Sequence, residues 1–444
     1  MIIFLLPILF QLQSASAAPG LQASVQSALL YLESTQTTYE DGYEPGQWRA
    51  QVTSTSLPSH VGVGEPGVPY EEPSAFVAAS VANVLAEIYF ANPHDFPAIP
   101  RMIDKAVAGL DVYRSEHDYR GGPAFYFYPP KVYGDLLVRG PRFMHLNPRW
   151  YGFTDTPPDA DTSSSSFLLL SYQKAMKKGV SPHESGFSLT PQTIDKFESA
   201  RDVNRLPHIY NRLHGDVDTG AFLTWLFDEN SPTMPHYYLA SPDKGERIPF
   251  NWNDVDCVVN TNVLKMLTVS HEESTPGYAN ACQYLNGVAA RREFYTCGMY
   301  YPSEFALPYA MSVALGLGAE CLEPSRVGLL ENVLASQEKD GSWKNHELIS
   351  RADPVQSTAW ALNTLLLLGN PEDVAERASA QKAVDFLLSQ ASLDEAGHVY
   401  WPGQVFYGAI FIARYPVVWR SSAYTTALAV RALELAGRKW HLRG

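Results

Sequence analysis

The chain has 444 residues, 45% of them hydrophobic and only 18% charged, which is enough to bury a large core. With 33 Lys and Arg against 47 Asp and Glu, the formal charge is −14. No basic run interrupts that balance, so a polyanionic partner such as nucleic acid is repelled.

The first predicted element is a leader. Met1–Phe10 is apolar and Ala15-Ser-Ala17 follows, the order of a secretory signal peptide over 1–17, although no Lys or Arg precedes the apolar run. That run is about half of the roughly 20 residues that span a bilayer, and no later stretch reaches that length. The expected product is one exported domain, 18–444, secreted or periplasmic, with no integral membrane segment.

Beyond the leader, stretches with one apolar face alternate with stretches apolar nearly all round. The first kind begins near Leu21, Arg101, Pro191, Tyr278, Ser325 and Glu376; the second begins near Glu72, Asp161, Asp256, Glu304, Pro354 and Ser422. Val327, Leu330 and Leu334 share one helix face, whereas Val355–Leu368 is apolar in nearly every direction, the pattern of a helix buried on all sides. Taken in order they form six outer–inner pairs, an internal repeat that a closed ring would bury without capping units. The expected fold is all-α, an (α/α)6 toroid or barrel. Links from an inner to the next outer helix are short, as at Gly369-Asn-Pro371, but four outer-to-inner links are long: 35–71, 115–158, 202–253 and 391–420. In an antiparallel ring these lie at one end, and long loops of distinct composition carry function. The working face is expected where the inner helices begin.

Gln337-Glu-Lys-Asp-Gly-Ser-Trp343 closes one outer helix, with looser echoes from Gln36 through Asp41-Gly42 to Trp48 and from Gln390 through Gly397 to Trp401. This segment resembles the QxxxGxW repeat of squalene–hopene cyclases and protein prenyltransferase β-subunits. Asp353–Leu362 and Tyr424–Leu433 resemble inner helices of the same α/α-toroid superfamily. The resemblance covers most of the chain in pattern and is close after about Gly298. It implies a toroid in which Gly341 ends the helix turn while Gln337 and Trp343 tie each loop to the next helix. The superfamily's catalytic motifs are missing. There is no Asp-Asp dipeptide, hence neither the DxDD acid of class II terpenoid cyclases nor the DDxxD magnesium site of class I enzymes. Asp256-Cys257 stand adjacent where the prenyltransferase zinc site has an Asp-x-Cys order, and no CxxC or HExxH is present. No metal or cofactor is expected.

Cys257, Cys282, Cys297 and Cys321 permit disulfides in an exported chain, with three pairings open and free thiols an equal alternative. Cys282 and Cys297 are the nearest in sequence and the pair expected to join if one forms.

Three acidic segments share one pattern: Asp159-Ala-Asp161-Thr162, Asp216-Val-Asp218-Thr219 and Asp254-Val-Asp256-Cys257. The first and third open inner helices; the second is read as opening a short helix from Gly220 to Phe227. Capping accounts for any one of these residues. It takes only one carboxylate per helix, however, and a closed ring gathers the starts at one mouth with Glu72, Glu304 and Asp353. Mutual repulsion there raises some pKa values and leaves an acid beside a base. Asp256 leads the candidates, then Asp161 and Asp218, with Asp254 and Asp159 beside them. Candidate substrate contacts are Trp150, Tyr151, His214, Tyr300, Tyr301, Trp401 and Tyr424, whose rings suit sugars or a carbocation and whose plainer role is packing. Three functions follow for a small-molecule or oligosaccharide partner. They are acid-initiated cyclisation or isomerisation of an apolar substrate, a polysaccharide lyase or inverting glycoside hydrolase, and a toroid that only binds. A deep apolar lumen favours the first, a shallow polar cleft the second, and a mouth without a shifted carboxyl the third.

Overall fold

The computed structural model describes residues 20–39, 42–55, 64–115, 121–133, 136–145, 156–205, 207–226, 253–410 and 414–444. The expected leader at 1–17, and with it Trp150 and Tyr151, lies outside the described residues. The helices are α1 (Leu21–Ser34), α2 (Ala75–Ala91), α3 (Ala98–Gly109), α4 (Ala160–Lys178), α5 (Pro191–Ser199), α6 (Ile209–His214), α7 (Cys257–Val269), α8 (Pro276–Arg291), α9 (Ala306–Gly316), α10 (Arg326–Ala335), α11 (Pro354–Leu368), α12 (Val374–Ser389) and α13 (Ser422–Arg438).

The stretches that read as apolar all round become a closed ring. α2 packs on α4, α4 on α7, α7 on α9, α9 on α11, α11 on α13, and α13 back on α2. Small side chains make the approach close: Ala75, Ala78, Ala79, Ala82 and Ala86 of α2 are all fully buried. At the closing seam Asn92 donates to Glu434 Oε1 at 2.6 Å and Arg431 pairs with Glu87 at 2.7 Å. The half-buried helices lie outside. α1 packs on α13, α3 on α2 and α4, α8 on α7, α10 on α11, and α12 on α11 and α13.

The repeat motif is a set of hydrogen bonds that the ring reuses. The indole N–H of Trp48 donates to Leu32 O at 2.9 Å, that of Trp343 to Val333 O at 2.8 Å, and that of Trp401 to Leu387 O at 2.7 Å. Each indole therefore ties back to its own outer helix, while the backbone N–H groups of Trp343 and Trp401 reach forward to Thr358 of α11 and Thr426 of α13, both at 3.0 Å. The glutamine adds a tie to the next outer helix. Gln337 Nε2 reaches Gly341 O at 3.0 Å and Ser379 O of α12 at 2.9 Å; Gln36 Nε2 reaches Gly46 O at 2.9 Å and Met102 O of α3 at 2.8 Å. The glycine of the first repeat is thus Gly46, not Gly42. Trp401, expected among the substrate contacts, is fully buried with its N–H engaged and belongs to the core.

The long loops carry strands that helical periodicity does not announce. β1 (Ala50–Ser54) and β2 (Pro69–Glu72) come from the loop before α2. Three short two-stranded ladders follow: β3 (Arg114–Ser115) with β4 (Ala124–Phe125), β5 (Pro130–Tyr133) with β6 (Leu136–Arg139), and β7 (Ser392–Leu393) with β8 (Val399–Tyr400). β9 (Val405–Ile410) and β10 (Arg414–Arg420) precede α13 and join the first two in a four-stranded antiparallel sheet of order β2-β1-β10-β9. The sheet lies over helix starts: Asp353, the cap residue of α11, accepts from Val405 N–H at 3.1 Å, and Ser421, the cap of α13, donates to Arg49 O at 3.2 Å. The short helix expected from Gly220 to Phe227 is absent through Leu226, the last described residue of that range. The backbone N–H groups of Leu223, Thr224, Trp225 and Leu226 go to Ala200 O, Asp254 O, Asn253 Oδ1 and Pro158 O, leaving none for helical bonds.

The disulfides are Cys257–Cys297 and Cys282–Cys321, with Cα separations of 5.5 and 5.9 Å, not the expected Cys282–Cys297. Cys282 sits near the middle of α8 and Cys297 beyond its far end, with about 13 Å of helix between. Each bridge closes a loop of about 40 residues and limits the unfolded chain by roughly 3–4 kcal/mol.

Gly341 has φ +89°, and a Cβ there would lie 2.4 Å from Lys382 O; Gly397, at φ +81°, has nothing within 4 Å of that position. Gly341→Ala should therefore cost more than about 1 kcal/mol and clearly more than Gly397→Ala. Thermal unfolding of the two variants side by side checks this, and equal losses would show that the close approach contributes nothing.

Candidate functional site

Inner helices begin with unpaired backbone N–H groups, and aspartates meet them. Asp159 Oδ1 caps α4 through Thr162 N–H at 2.5 Å. Asp256 Oδ1 caps α7 through Val258 and Val259 N–H at 2.7 and 3.0 Å, while Oδ2 accepts from Met299 and Tyr300 N–H at 2.5 and 3.0 Å. Four backbone donors thus occupy both oxygens of a fully buried carboxyl. Asp256, the leading candidate from the sequence, is a positioning residue in this geometry, because neither oxygen is left for a substrate.

What it positions is the Tyr300–Tyr301 pair. Tyr300 OH donates to Asp254 Oδ2 at 2.7 Å and accepts from the Trp225 indole at 3.0 Å, and Asp254 Oδ1 accepts from Thr224 Oγ1 at 2.6 Å. Tyr301 OH donates in a short bond to Asp161 Oδ2, whose Oδ1 takes Asn262 Nδ2 at 2.5 Å. The first and third acidic segments therefore meet, as the closed ring requires. The second does not join them. Asp218 is exposed at φ +50° with Oδ1 on Asn204 N–H at 2.7 Å, and His214 ends α6, half-buried. The remaining expected carboxyls hold loops. Glu72 accepts from the N–H groups of Arg142, Phe143 and Met144, and Glu304 pairs with His346 at 2.7 Å.

Burial dominates the electrostatics of the cluster. It pushes Asp159 up to about 8 against the opposing Thr162 N–H, and the second oxygen of Asp159 has no hydrogen-bond partner. Asp161 rises to about 6 through burial, offset by its bonds from Tyr301 and Asn262 and raised further by Asp256. Asp256 also rises to about 6 through burial despite its backbone donors. The result is a carboxylic acid beside groups that ionise near neutrality.

Tyr301 and Asn262 carry this cluster to a lumen through the ring. Phe76, Ser80, Asn83, Val84 and Glu87 line it along one face of α2, from the first turn to the last but one, with Tyr309, Trp360 and Tyr424 opposite. The space is about 50 Å³. Its wall is mixed rather than apolar, and it includes Lys265 and Glu87. At the mouth β9 lays Phe406 and Tyr407 across the opening. Tyr407 packs on Phe76 at 5.1 Å, Phe127 at 5.5 Å, Trp419 at 5.3 Å and Tyr300 at 5.7 Å. Its phenol is raised by burial first and then by Asp159, Asp161, Asp256 and Asp254.

Tyr424 and Tyr301 thus line the lumen, and Tyr300 stands at its mouth. Sequence reasoning missed Phe76, Tyr407, Glu87, Lys265 and Arg431. A signal existed for Glu87 and Lys265: each is the single charged residue of its helix, where an unpaired charge is rarely tolerated.

No protein-family model matches the chain, and no curated protein sequence does. Among solved structures it is similar to apo type II terpene cyclase MstE from Scytonema, at 16% identity and TM-score 0.54, over 94% of this chain and 97% of that one. A variant of that enzyme holding geranylgeranyl dihydroxybenzoate, its substrate, matches at 15% identity and TM-score 0.53 over 94% and 97%. Cellobiose 2-epimerase from Spirochaeta thermophila matches at 13% identity and TM-score 0.50 over 94% and 95%. At such identities the likeness shows the α/α-toroid fold, and the fold alone.

A carboxyl that keeps its proton in the folded chain but loses it in the unfolded one destabilises the fold as pH rises between the two pKa values. Asp161 and Asp256 exert this between about 4 and 6, and Asp159 continues to about 8. Stability should therefore fall from pH 4 to 8, and Asp159→Asn, which keeps the cap, should remove up to about 2–3 kcal/mol of the loss between 6 and 8. Urea unfolding at several pH values reads this directly; a variant whose profile parallels the parent's would remove Asp159 as the buried acid.

Proposed function

We propose that this chain is an α/α-toroid enzyme that moves protons through the Asp161–Tyr301 pair onto a substrate inserted in the ring. The carrying observation is that the Tyr301 hydroxyl, bonded to Asp161, is where the buried carboxyls reach the lumen wall. Burial raises the Tyr301 phenol well above its ordinary range, so a standing phenolate is disfavoured. A concerted transfer avoids one: a protonated Asp161 donates to the Tyr301 oxygen as the hydroxyl turns its own proton to the substrate, and the protonated Asp159 is a nearby reserve. Isomerisation or cyclisation begun by protonation suits this arrangement, because the faces of Phe76, Trp360 and Tyr424 can hold developing positive charge. The terpene cyclase neighbour, which acts on geranylgeranyl dihydroxybenzoate, supports the same class.

The lining argues for a substrate with a polar end. Glu87 and Lys265 share the wall, and about 50 Å³ is far below the roughly 300–1,000 Å³ of ordinary ligand sites. Only a slender end enters unless the Phe406–Tyr407 plug shifts. A carbohydrate reading rests on a separate feature, an open polar cleft of about 440 Å³ outside the ring, lined by Tyr31, Arg49, Gln51, Glu71 and Arg420. Export is part of the proposal; the leader pattern and two disulfides support it, since such bonds persist in oxidising compartments.

Incubation with geranylgeranyl dihydroxybenzoate and, separately, with cellobiose tests both readings. The first predicts an isomeric product from the prenylated substrate, reduced about a hundredfold or more in both Asp161→Asn and Tyr301→Phe. Cellobiose turnover that survives those variants and is lost in Arg420→Ala would transfer the function to the outer cleft. Conversion of neither compound by the parent chain would remove both substrate assignments.

A further inference from the structure

The deeper part of the lumen holds a charge arrangement that the proton-transfer pair does not use. Glu87 of α2 is engaged by Arg431 of α13 at 2.7 Å, and Arg431 also donates to Asn363 Oδ1 at 2.9 Å. Lys265 of α7 lines the same cavity and is largely shielded from solvent. Among the described residues Lys265 makes no ion pair in direct contact, and Glu87, held by Arg431, acts on it from farther off. A buried ammonium without a partner is costly, and it resolves either by binding an anion or by giving up its proton. Arg431, a second cation held on Glu87, adds its repulsion to the same amine, the setting that turns a lysine into a nucleophile. Burial pushes the Lys265 amine below the usual lysine range; the attraction of Glu87 and Asp161 opposes this and Arg431 adds to it.

We propose that Lys265 condenses with an aldehyde or ketone carbonyl at the inserted end of the substrate, forming a Schiff base. The amine nitrogen bonds to the carbonyl carbon and the carbonyl oxygen takes a proton, giving a carbinolamine. The C–O bond then breaks with a second protonation of oxygen, the nitrogen loses its protons, and water leaves. Amine and carbonyl become imine and water, with no oxidant or reductant involved. The proton carriers are at hand. Asn262 and Lys265 stand three residues apart on one face of α7, about one helical turn, and Asn262 holds Asp161, the partner of Tyr301. The Tyr309 hydroxyl group belongs to the same wall. The small space, about 50 Å³, suits a carbonyl end rather than a whole substrate.

This inference deepens the function proposed above, resting on the same lumen, but its test reads an adduct rather than turnover. The intact, oxidised chain is treated with propanal and sodium cyanoborohydride near neutral pH, which fixes an iminium as a secondary amine, and each lysine is followed by peptide mass spectrometry. Lys265 should be alkylated about tenfold faster or more than the exposed Lys339. Urea-unfolded chain should lose that preference. Lys265→Arg, which keeps the charge beside Glu87, should remove the fast adduct and leave labelling at Lys339 unchanged. Labelling of Lys265 no faster than Lys339, or only after unfolding, would overturn the proposal. Fast labelling that persists in Asp161→Asn while that variant loses turnover would leave both readings standing as separate steps. Fast labelling with turnover intact in Asp161→Asn would sink the proton-transfer pair and keep the amine.

Discussion

Asp256 receives four backbone N–H groups, two from the first turn of α7 and two from Met299 and Tyr300. A buried carboxyl is stable only when hydrogen bonds replace its hydration, so the segment before α9 is fixed wherever that carboxyl is. The Cys257–Cys297 bridge sits beside the same junction and holds it covalently. From this junction Tyr300 turns to Asp254 and Tyr301 to Asp161, which brings the start of α4 into contact with the start of α7. The mouth of the ring is thus organised by one cap that serves two segments.

The aromatic plug follows from the same need. Phe76, Phe127, Phe406, Tyr407 and Trp419 stack over the carboxyls and remove them from water. That burial, more than mutual repulsion, raises Asp159, Asp161 and Asp256. Like charge, the ground on which the sequence points to a shifted mouth, is the smaller contribution. The larger cause is burial, to which the aromatic side chains of β9 and β10 contribute and which no acidic motif foretells.

The ring was legible because its helices are apolar in nearly every direction, a pattern no surface helix shows, and their observed starts lie within about three residues of the expected ones. Pairing of the acidic segments at α4 and α7 was legible for the same reason. What stayed hidden depended on contacts far apart in sequence. Whether an Asp serves as cap or acid turns on whether its second oxygen meets Met299 or a cavity, and spacing says nothing of that. Trp401 and Tyr424 read alike as aromatic candidates, yet one donates into its own outer helix and the other lines the lumen. The strands of the sheet are short and pair across loops more than three hundred residues apart, as Val52 does with Trp419, so local propensity could not reveal them.

The seam between α13 and α2 carries a consequence for how the molecule is made. Asn92 and Glu434, bonded across it, are 342 residues apart in sequence, and Glu87 and Arg431 meet on the same two helices. Contacts of such separation form late, because the whole intervening chain must first be ordered. During synthesis α2 leaves the ribosome with its lumen face, Glu87 included, open to water, and it stays so until the final inner helix arrives. The ring therefore has no working half. A chain stopped short of Ser422 lacks the cation that answers Glu87 and the helix that seals the lumen, so it is left as an open arc of buried-type helices, the kind of species that chaperones retain and proteases clear.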